Sequence, residues 1–320
     1  MAKNLRKRSA GRMVARRRTL LDSELMEAGM NELNCTRRDM LRLAAAGLVS
    51  AASLPAQRRQ ITAREVVERI RQNLGVPWRE RTADTFKWGD PDRPITGITC
   101  TFMSTLSLLQ RSAAAGNSFV ITHEPTFWSA DDVAADLRDD PVFEHKMAFI
   151  EKNRMVVWRF HDHWHARRPD GIFAGWTRRM GWDQYRQSDQ RTYVIPETSL
   201  AALASEMQRR LNVRSARMVG DPKLKVTRVA NGGHYIAQAM AAEQEEDVVI
   251  GGEVREWETV EYFRDAVAYG HKKGLIVLPH EGGEEAGMEE CANWLRGFVT
   301  EVPVQFIASG DPFWIPKASA

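Results

Sequence analysis

The stretch ITGITCTFMSTLSLLQRSAAAGNSFVITH, residues 95–123, decides the fold. Ile95 to Met103 is β-branched and apolar, as a strand requires. Leu106 to Ala115 carries apolar residues at helical spacing and stops at Gly116. Ser118 to Thr122 is a second apolar strand that runs directly into His123. Strand, helix and strand in succession make a βαβ unit, whose crossover leaves the two strands parallel.

The step recurs outward from this segment. Pro141 to Asn153 reads as a helix and Met155 to Phe160 as a strand running into His161. Later, Asp247 to Ile250 reads as a strand, Trp257 to Lys273 as a helix, and Leu275 to Pro279 as a strand running into His280. Upstream, Thr62 and Glu65 form a capping box before an apolar stripe of Val66, Val67, Ile70 and Leu74 that stops at Gly75. Residues 76–94, with Pro77, Gly89, Pro91 and Pro94 among charges, read as an irregular connection. A helix over Gly171 to Trp182, a strand over Thr192 to Ile195, a helix over Ser199 to Leu211 and strands near Arg217 and Val226 follow. Gly232 and Gly233 then turn the chain into another helix. The order predicts an α/β protein with halves over 57–185 and 186–320, preceded by a leader over 1–56.

With 320 residues, 43% hydrophobic and 27% charged, the chain has ordinary globular composition, which excludes disordered, collagenous and multi-span membrane classes. Its net charge of +3 hides a split: residues 1–56 carry 11 Lys+Arg against 5 Asp+Glu, leaving 34 against 37 for the rest. Nucleic-acid binding needs the basic excess on a folded face, so no nucleic-acid partner is expected. The leader reads Thr36, Arg37, Arg38, Asp39, followed by 14 uncharged residues from Leu43 to Ala56. That run is too short to span a bilayer and matches a twin-arginine export signal. A periplasmic or otherwise extracytoplasmic location is expected, with membrane contact only during export, and a cytoplasmic one if the leader does not function. An Ala-rich helical extension is the alternative, and it explains the paired arginines less well. Cys100 and Cys291 read as either a disulfide or two buried thiols.

In open α/β sheets, ligands gather beyond the carboxyl ends of strands. His123, His161, His163, His165 and His280 fall at or just after such ends. Carboxylates accompany them: Glu124, Asp162, and then Glu281, Glu284 and Glu285. Imidazole and carboxylate without thiolate is a donor set for catalytic Zn, Mn, Fe, Co or Ni. His280 and Glu284 share a helix face at i, i+4, and a carboxylate can bridge two ions. His145 and His271 need no metal explanation, and His234 fits either a structural or a ligand role.

The runs Ile121-Thr122-His123-Glu124-Pro125, His161 to His165, and Leu278-Pro279-His280-Glu281-Gly282-Gly283-Glu284 resemble the dinuclear metal-centre family named for NGG-interacting factor three, often labelled type 2 GTP cyclohydrolase I. The likeness spans about residues 61–315 and includes the Gly251-Gly252-Glu253 turn and the helix through Tyr262 and Tyr269. It implies two similar interlocked α/β halves with mixed, largely parallel sheets, a metal pair between them, and assembly as a homo-hexamer. The ligand pattern of the family falls on His123, Glu124, His165, His280 and Glu284. Glu124 stands where a second histidine is usual, and His165 where an aspartate is usual, so the donor count is kept. His161 is expected to be a ligand or a partner that orients one.

Two divalent cations would lower the pKa of a bridging water from 15.7 towards about 7, so a metal-bridging hydroxide and hydrolysis are the natural expectation. Glu281, Glu285 and Asp162 are the candidates to relay the proton. Trp128 and Trp164 are placed either to line a pocket for a planar or sugar-like small molecule or to pack in the core. No GxxxxGK[ST] phosphate loop is present, and export would remove the chain from free GTP, so the substrate is left unidentified rather than taken to be GTP. A non-catalytic metal-binding scaffold and a TIM-barrel hydrolase or isomerase are the competing readings, the latter lacking a regular strand–helix alternation.

Overall fold

The computed structural model describes residues 60–134, 137, 139–233 and 245–316. The leader with its twin arginine, the helix expected after Gly233 and His234 lie outside the described residues. None of the described helices is long and apolar enough to cross a membrane.

Helix α1 (Ala63–Asn73) starts with the expected capping box, Thr62 and Glu65 each bonding the other's backbone N–H. Strand β1 (Phe86–Trp88) comes from the segment expected to be irregular, and pairs antiparallel with β4 (Val156–Arg159). The βαβ unit is present as β2 (Ile98–Thr101), α2 (Leu106–Ala114) and β3 (Phe119–Thr122), with β2 parallel to β3 and β3 to β4. Helix α3 (Pro141–Lys152) crosses between β3 and β4. Every residue of β2, β3 and β4 is buried, as a parallel sheet covered on both faces demands. Ile98, Cys100, Phe119, Ile121 and Trp158 face α1 and the last helix, while Val120 and Val157 face α2 and α3.

After β4 come a short helix α4 (Asp162–Ala166) and α5 (Gly171–Met180). Helix α5 ends two residues earlier than expected because Gly181 takes the left-handed cap at φ 68°. The second sheet has the order β5-β7-β8-β9-β6. It comprises β5 (Thr192–Ser199), β6 (Arg217–Val219), β7 (Lys225–Asn231), β8 (Val248–Gly251) and β9 (Gly274–Val277). Its centre, β7-β8-β9, is parallel, and the edges β5 and β6 are antiparallel. Pro196 is tolerated in β5 because it falls in the irregular stretch of an edge strand. Helix α6 (Leu200–Leu211), capped by Ser199, packs Leu200, Leu203 and Met207 on one face. Helix α7 (Glu261–Ala268) covers the other through Phe263. The helix expected over Trp257 to Lys273 is instead a π turn at Glu256–Val260 followed by α7, and Gly270 at φ 104° ends it.

The chain then returns. Helix α8 (His280–Leu295) sends Met288, Cys291, Ala292 and Leu295 into the first core, and β10 (Val304–Phe306) joins β2 in parallel. The two α/β halves are therefore interlocked, with two mixed and largely parallel sheets of five strands each among the described residues. Two open sheets exclude the TIM-barrel alternative. Cys100 and Cys291 are buried free thiols, which settles the cysteine question for this structure.

Candidate metal centre

The carboxyl ends of β3, β4 and β9 converge, and with them the three strand-end histidines. His123 follows β3 and is fully buried, its backbone N–H shared between the Thr101 and Phe102 carbonyls at 3.1 Å. Its Nδ1 lies 3.1 Å from the Phe160 carbonyl. His161 stacks on it at 4.5 Å between ring centres, and His165 sits edge-on at 5.0 Å. His161 Nδ1 is 3.0 Å from Asp162 Oδ1, His165 Nδ1 is 2.9 Å from Asp170 Oδ2, and His280 Nδ1 is 3.3 Å from Glu253 Oε1. All four rings thus have Nδ1 against an oxygen, which fixes their orientation and turns Nε2 to other uses.

Three of those Nε2 atoms, on His123, His161 and His280, meet carboxylates. Glu284 Oε2 is 3.3 Å from His123 Nε2 and 3.1 Å from His280 Nε2. Glu124 Oε1 is 3.8 Å from both His161 Nε2 and His280 Nε2 and 4.0 Å from His123 Nε2. Donors about 2.0–2.2 Å from one tetrahedral cation lie about 3.3–3.6 Å apart, within the span of these spacings. Two overlapping groups, His123/His161/His165 and His123/Glu124/Glu284, keep their ligand atoms within 4.8 Å of one another, and either can hold a metal ion. The chemistry of the donor set fits such an ion, and so does the buried His123 Nε2, which has no hydrogen-bond partner among the described residues.

Electrostatics divide the centre. Burial, reinforced by the neighbouring His123 and His165, pushes His161 down to about 3, so its ring is neutral and ready to ligate. For His280, burial works against the cation, but Glu253, Glu284 and Glu124 outweigh it and raise the ring to about 11. His165 is raised by Asp170 against the same burial cost. A divalent ion must therefore displace the His280 proton. We expect at least one proton released per chain on metal loading at pH 7, and affinity rising about tenfold per pH unit per proton released, measurable by titration in weak buffer. The sign for the metal-free chain is the reverse. The stability contributed by the His280 cation is full below about pH 6.5 and is lost as pH rises through about 11.

Six of the nine sequence-expected residues, His123, Glu124, His161, His165, His280 and Glu284, come together here. Asp162 lies beside them but accepts from Thr82 Oγ1 and the Ala83 N–H, each at 2.9 Å, as well as facing His161. Although burial opposes it, these bonds hold its carboxyl below the usual range. Glu281 and Glu285 turn to another face of α8. Glu285 accepts the Ser309 and Gly310 N–H groups, and burial raises Glu281 to about 7 beside Asp311 and Glu285. His163 is structural: buried, stacked on Trp78, with Nδ1 2.6 Å from Asp84 and Nε2 accepting the Arg79 N–H. Trp164 is fully buried and donates to the Gly287 carbonyl, so it packs the core, and Trp128 lies exposed under Lys146. Neither tryptophan lines the cavity of about 410 Å³ that opens beside His161, His165 and Glu284.

Three residues that matter were not singled out from the sequence. Asp84 accepts the N–H groups of His161, Asp162 and His163 and so positions the start of α4. Nothing in its connecting segment signals this. Asp170 caps α5 through the Ile172 and Phe173 N–H groups while orienting His165, and its place before an apolar helix was a readable N-cap signal. Glu253 follows β8 and meets His280. Asp170→Asn should separate Asp170's two duties. Asn caps helices as well as Asp does, so melting should change little, while metal affinity falls about 10–100-fold as the His165 ring loses its carboxylate. Calorimetric metal titration alongside thermal melting checks this.

The fold is mixed α/β with two largely parallel sheets, and at its converging strand ends imidazoles and carboxylates form a cluster that could hold a metal ion. The chain matches the Duf34/NIF3 (NGG1p interacting factor 3) family model over residues 62–312 and belongs to that family. Among solved structures it is similar to hypothetical protein SA1388 of Staphylococcus aureus, at 17% identity and TM-score 0.63, covering 80% of this chain and 100% of that one. A Bacillus cereus protein related to NIF3 matches at 13% identity and TM-score 0.64, covering 81% and 100%. Reduced HcgD from Methanocaldococcus jannaschii matches at 15% identity and TM-score 0.55, covering 78% and 98%. Among curated proteins, none matches the chain.

Proposed function

We infer that this chain is a metal-dependent hydrolase of a small molecule, with two divalent ions, from among Zn, Mn, Fe, Co and Ni, that His123, Glu124, His161, His165, His280 and Glu284 would hold between them. The observation that carries this reading is the clamping of all four Nδ1 atoms by oxygen acceptors while the Nε2 atoms of His123, His161 and His280 converge on Glu124 and Glu284. Bound divalent ions would supply Lewis acidity and an acidified water at neutral pH. The side chains supply the rest. Glu124 and Glu284 balance charge, and Arg159 Nη2, 3.5 Å from Glu124 Oε2, holds Glu124 in place. Asp162, kept ionised, orients His161 and is a weak base.

The test is a metal assay on the purified full-length chain, followed by a screen of Mn-, Fe- and Zn-loaded forms on phosphoester, amide and cyclic substrates. About two ions per chain and turnover abolished by His280→Ala with the fold intact are expected. Full metal occupancy without turnover would favour the scaffold reading instead. Homo-hexamer assembly and twin-arginine export belong to the same proposal. Solution mass measures the first. Retention in the cytoplasm after Arg37→Lys and Arg38→Lys is expected for the second, and unchanged secretion would refute it.

A further inference from the structure

Beside His280 and Glu284 a narrow slot lies at the carboxyl ends of the parallel strands β7, β8 and β9. Its walls include Asn231 at the end of β7, Ile250 and Gly251 at the end of β8, Leu278 just after β9, and Phe173 of α5. Open α/β sheets place ligands beyond such strand ends. The free space inside is about 10 Å³, room for a water or a single carbonyl oxygen. Phe173, Gly233 and Glu284 also line the larger cavity of about 410 Å³, so the slot is a side branch of it.

Backbone groups around the slot satisfy one another. The Gly232 N–H donates to the Ile250 carbonyl, Gly252 to Gly233 and Leu278 to Gly251, at 2.8–2.9 Å. The side chain of Asn231 is different. It is only 3% exposed, and its Oδ1 accepts the Gly233 N–H at 3.1 Å, which identifies the two ends of the amide. Nδ2 is left as a buried donor with no hydrogen-bond partner among the described residues. Buried donors are normally paired, so one left open on a residue of the slot wall calls for an acceptor. Among the described residues no lysine or arginine lines the slot, whereas Glu284 does, and His280 is already faced by Glu253, Glu284 and Glu124. Carboxylates also outnumber arginines around the larger cavity. The acceptor that fits is therefore a neutral one.

We propose that this slot receives the carbonyl oxygen of a neutral amide, with Asn231 Nδ2 donating to it and the rest of the molecule lying in the larger cavity. The inference rests on the hydrolase reading and narrows its substrate to amides, whose oxygen is the strongest acceptor among neutral carbonyls. Because the slot shares His280 and Glu284 with the metal centre, an oxygen held there keeps the amide carbon beside the reacting groups. Gly283 of α8 keeps the slot open. A Cβ at that position would meet nothing within 4 Å, so a side chain there would take up the free space.

Saturation-transfer NMR titration of the full-length chain, metal-loaded and metal-stripped, with benzamide, benzoate and toluene tests it. Benzamide should bind both forms more tightly than toluene, and should outbind benzoate where metal is absent. Asn231→Asp keeps the acceptor for the Gly233 N–H but puts an oxygen where Nδ2 stands. Benzamide affinity should then fall at least about tenfold, while toluene affinity holds. Gly283→Ala should weaken benzamide at least about fivefold by filling the slot, with melting temperature held or raised because alanine suits a helix. That second variant keeps the test valid if Asn231→Asp does not fold. Equal benzamide affinity in wild type and variants, or no benzamide binding because the slot holds only a water, overturns the proposal. Benzoate matching benzamide in the metal-stripped chain overturns it too. Failure of the hydrolase reading looks different: Asn231-dependent amide binding in a chain that holds no metal and turns nothing over.

Discussion

Replacing His123 with alanine should remove the one ligand common to both overlapping donor groups, weakening metal affinity by more than about 100-fold, the upper end of what losing a mere orienting partner costs. His123 is common to the imidazole group and the carboxylate group, so no ion can sit in either without losing a ligand. His280→Ala touches only the carboxylate side and should leave the imidazole side occupied. The contrast in metal affinity, lost at the imidazole side in His123→Ala and kept there in His280→Ala, separates a lost ligand from general damage. Melting gives a second readout. At metal about 100-fold above Kd, the wild type should gain about 2.7 kcal/mol, and the His123→Ala chain should gain nothing.

Gly287→Ala should be among the most destabilising single substitutions outside the centre. A Cβ at Gly287 of α8 would lie 2.4 Å from Ile172 Cα on α5, and one at Gly175 of α5 would lie 2.3 Å from the Ala286 carbonyl oxygen. Those neighbours are backbone, so neither helix yields without sliding. Overpacking of this kind costs about 3 kcal/mol, or about 6–12 °C in melting temperature for a body of this size. Function should suffer with it. Helix α8 carries His280 and Glu284, and α5 begins at the Asp170 that orients His165, so separating the two helices pulls the centre apart. Thermal melting with metal titration checks both, and an unchanged melting point would show that the helices do not pack this closely.

Much of this architecture was legible in the residues themselves. The apolar runs before His123, His161 and His280 give parallel strands because both faces are covered, and that burial leaves their loops as the place for polar ligands. The capping box at Thr62 and the stop at Gly75 fix α1 locally. What escaped was non-local. Strand β1 has three half-buried residues within a Pro- and Gly-rich connection, and only pairing with β4 makes it a strand. Strand β10 exists because α8 carries the chain back to β2. Donor identities could be read because imidazole and carboxylate are rare at strand ends. Their orienting partners Asp84 and Glu253 could not, since each lies in a separate loop that only the fold brings close.

Anomalous X-ray diffraction from crystals of the metal-loaded full-length chain tests the central claim most directly. The expected result is metal density about 2 Å from His123 Nε2, bounded by His161 and His165 on one side and by Glu124, His280 and Glu284 on the other. Crystals grown in excess metal that show these side chains bonded only to water and to one another, with no anomalous density at His123, would contradict it.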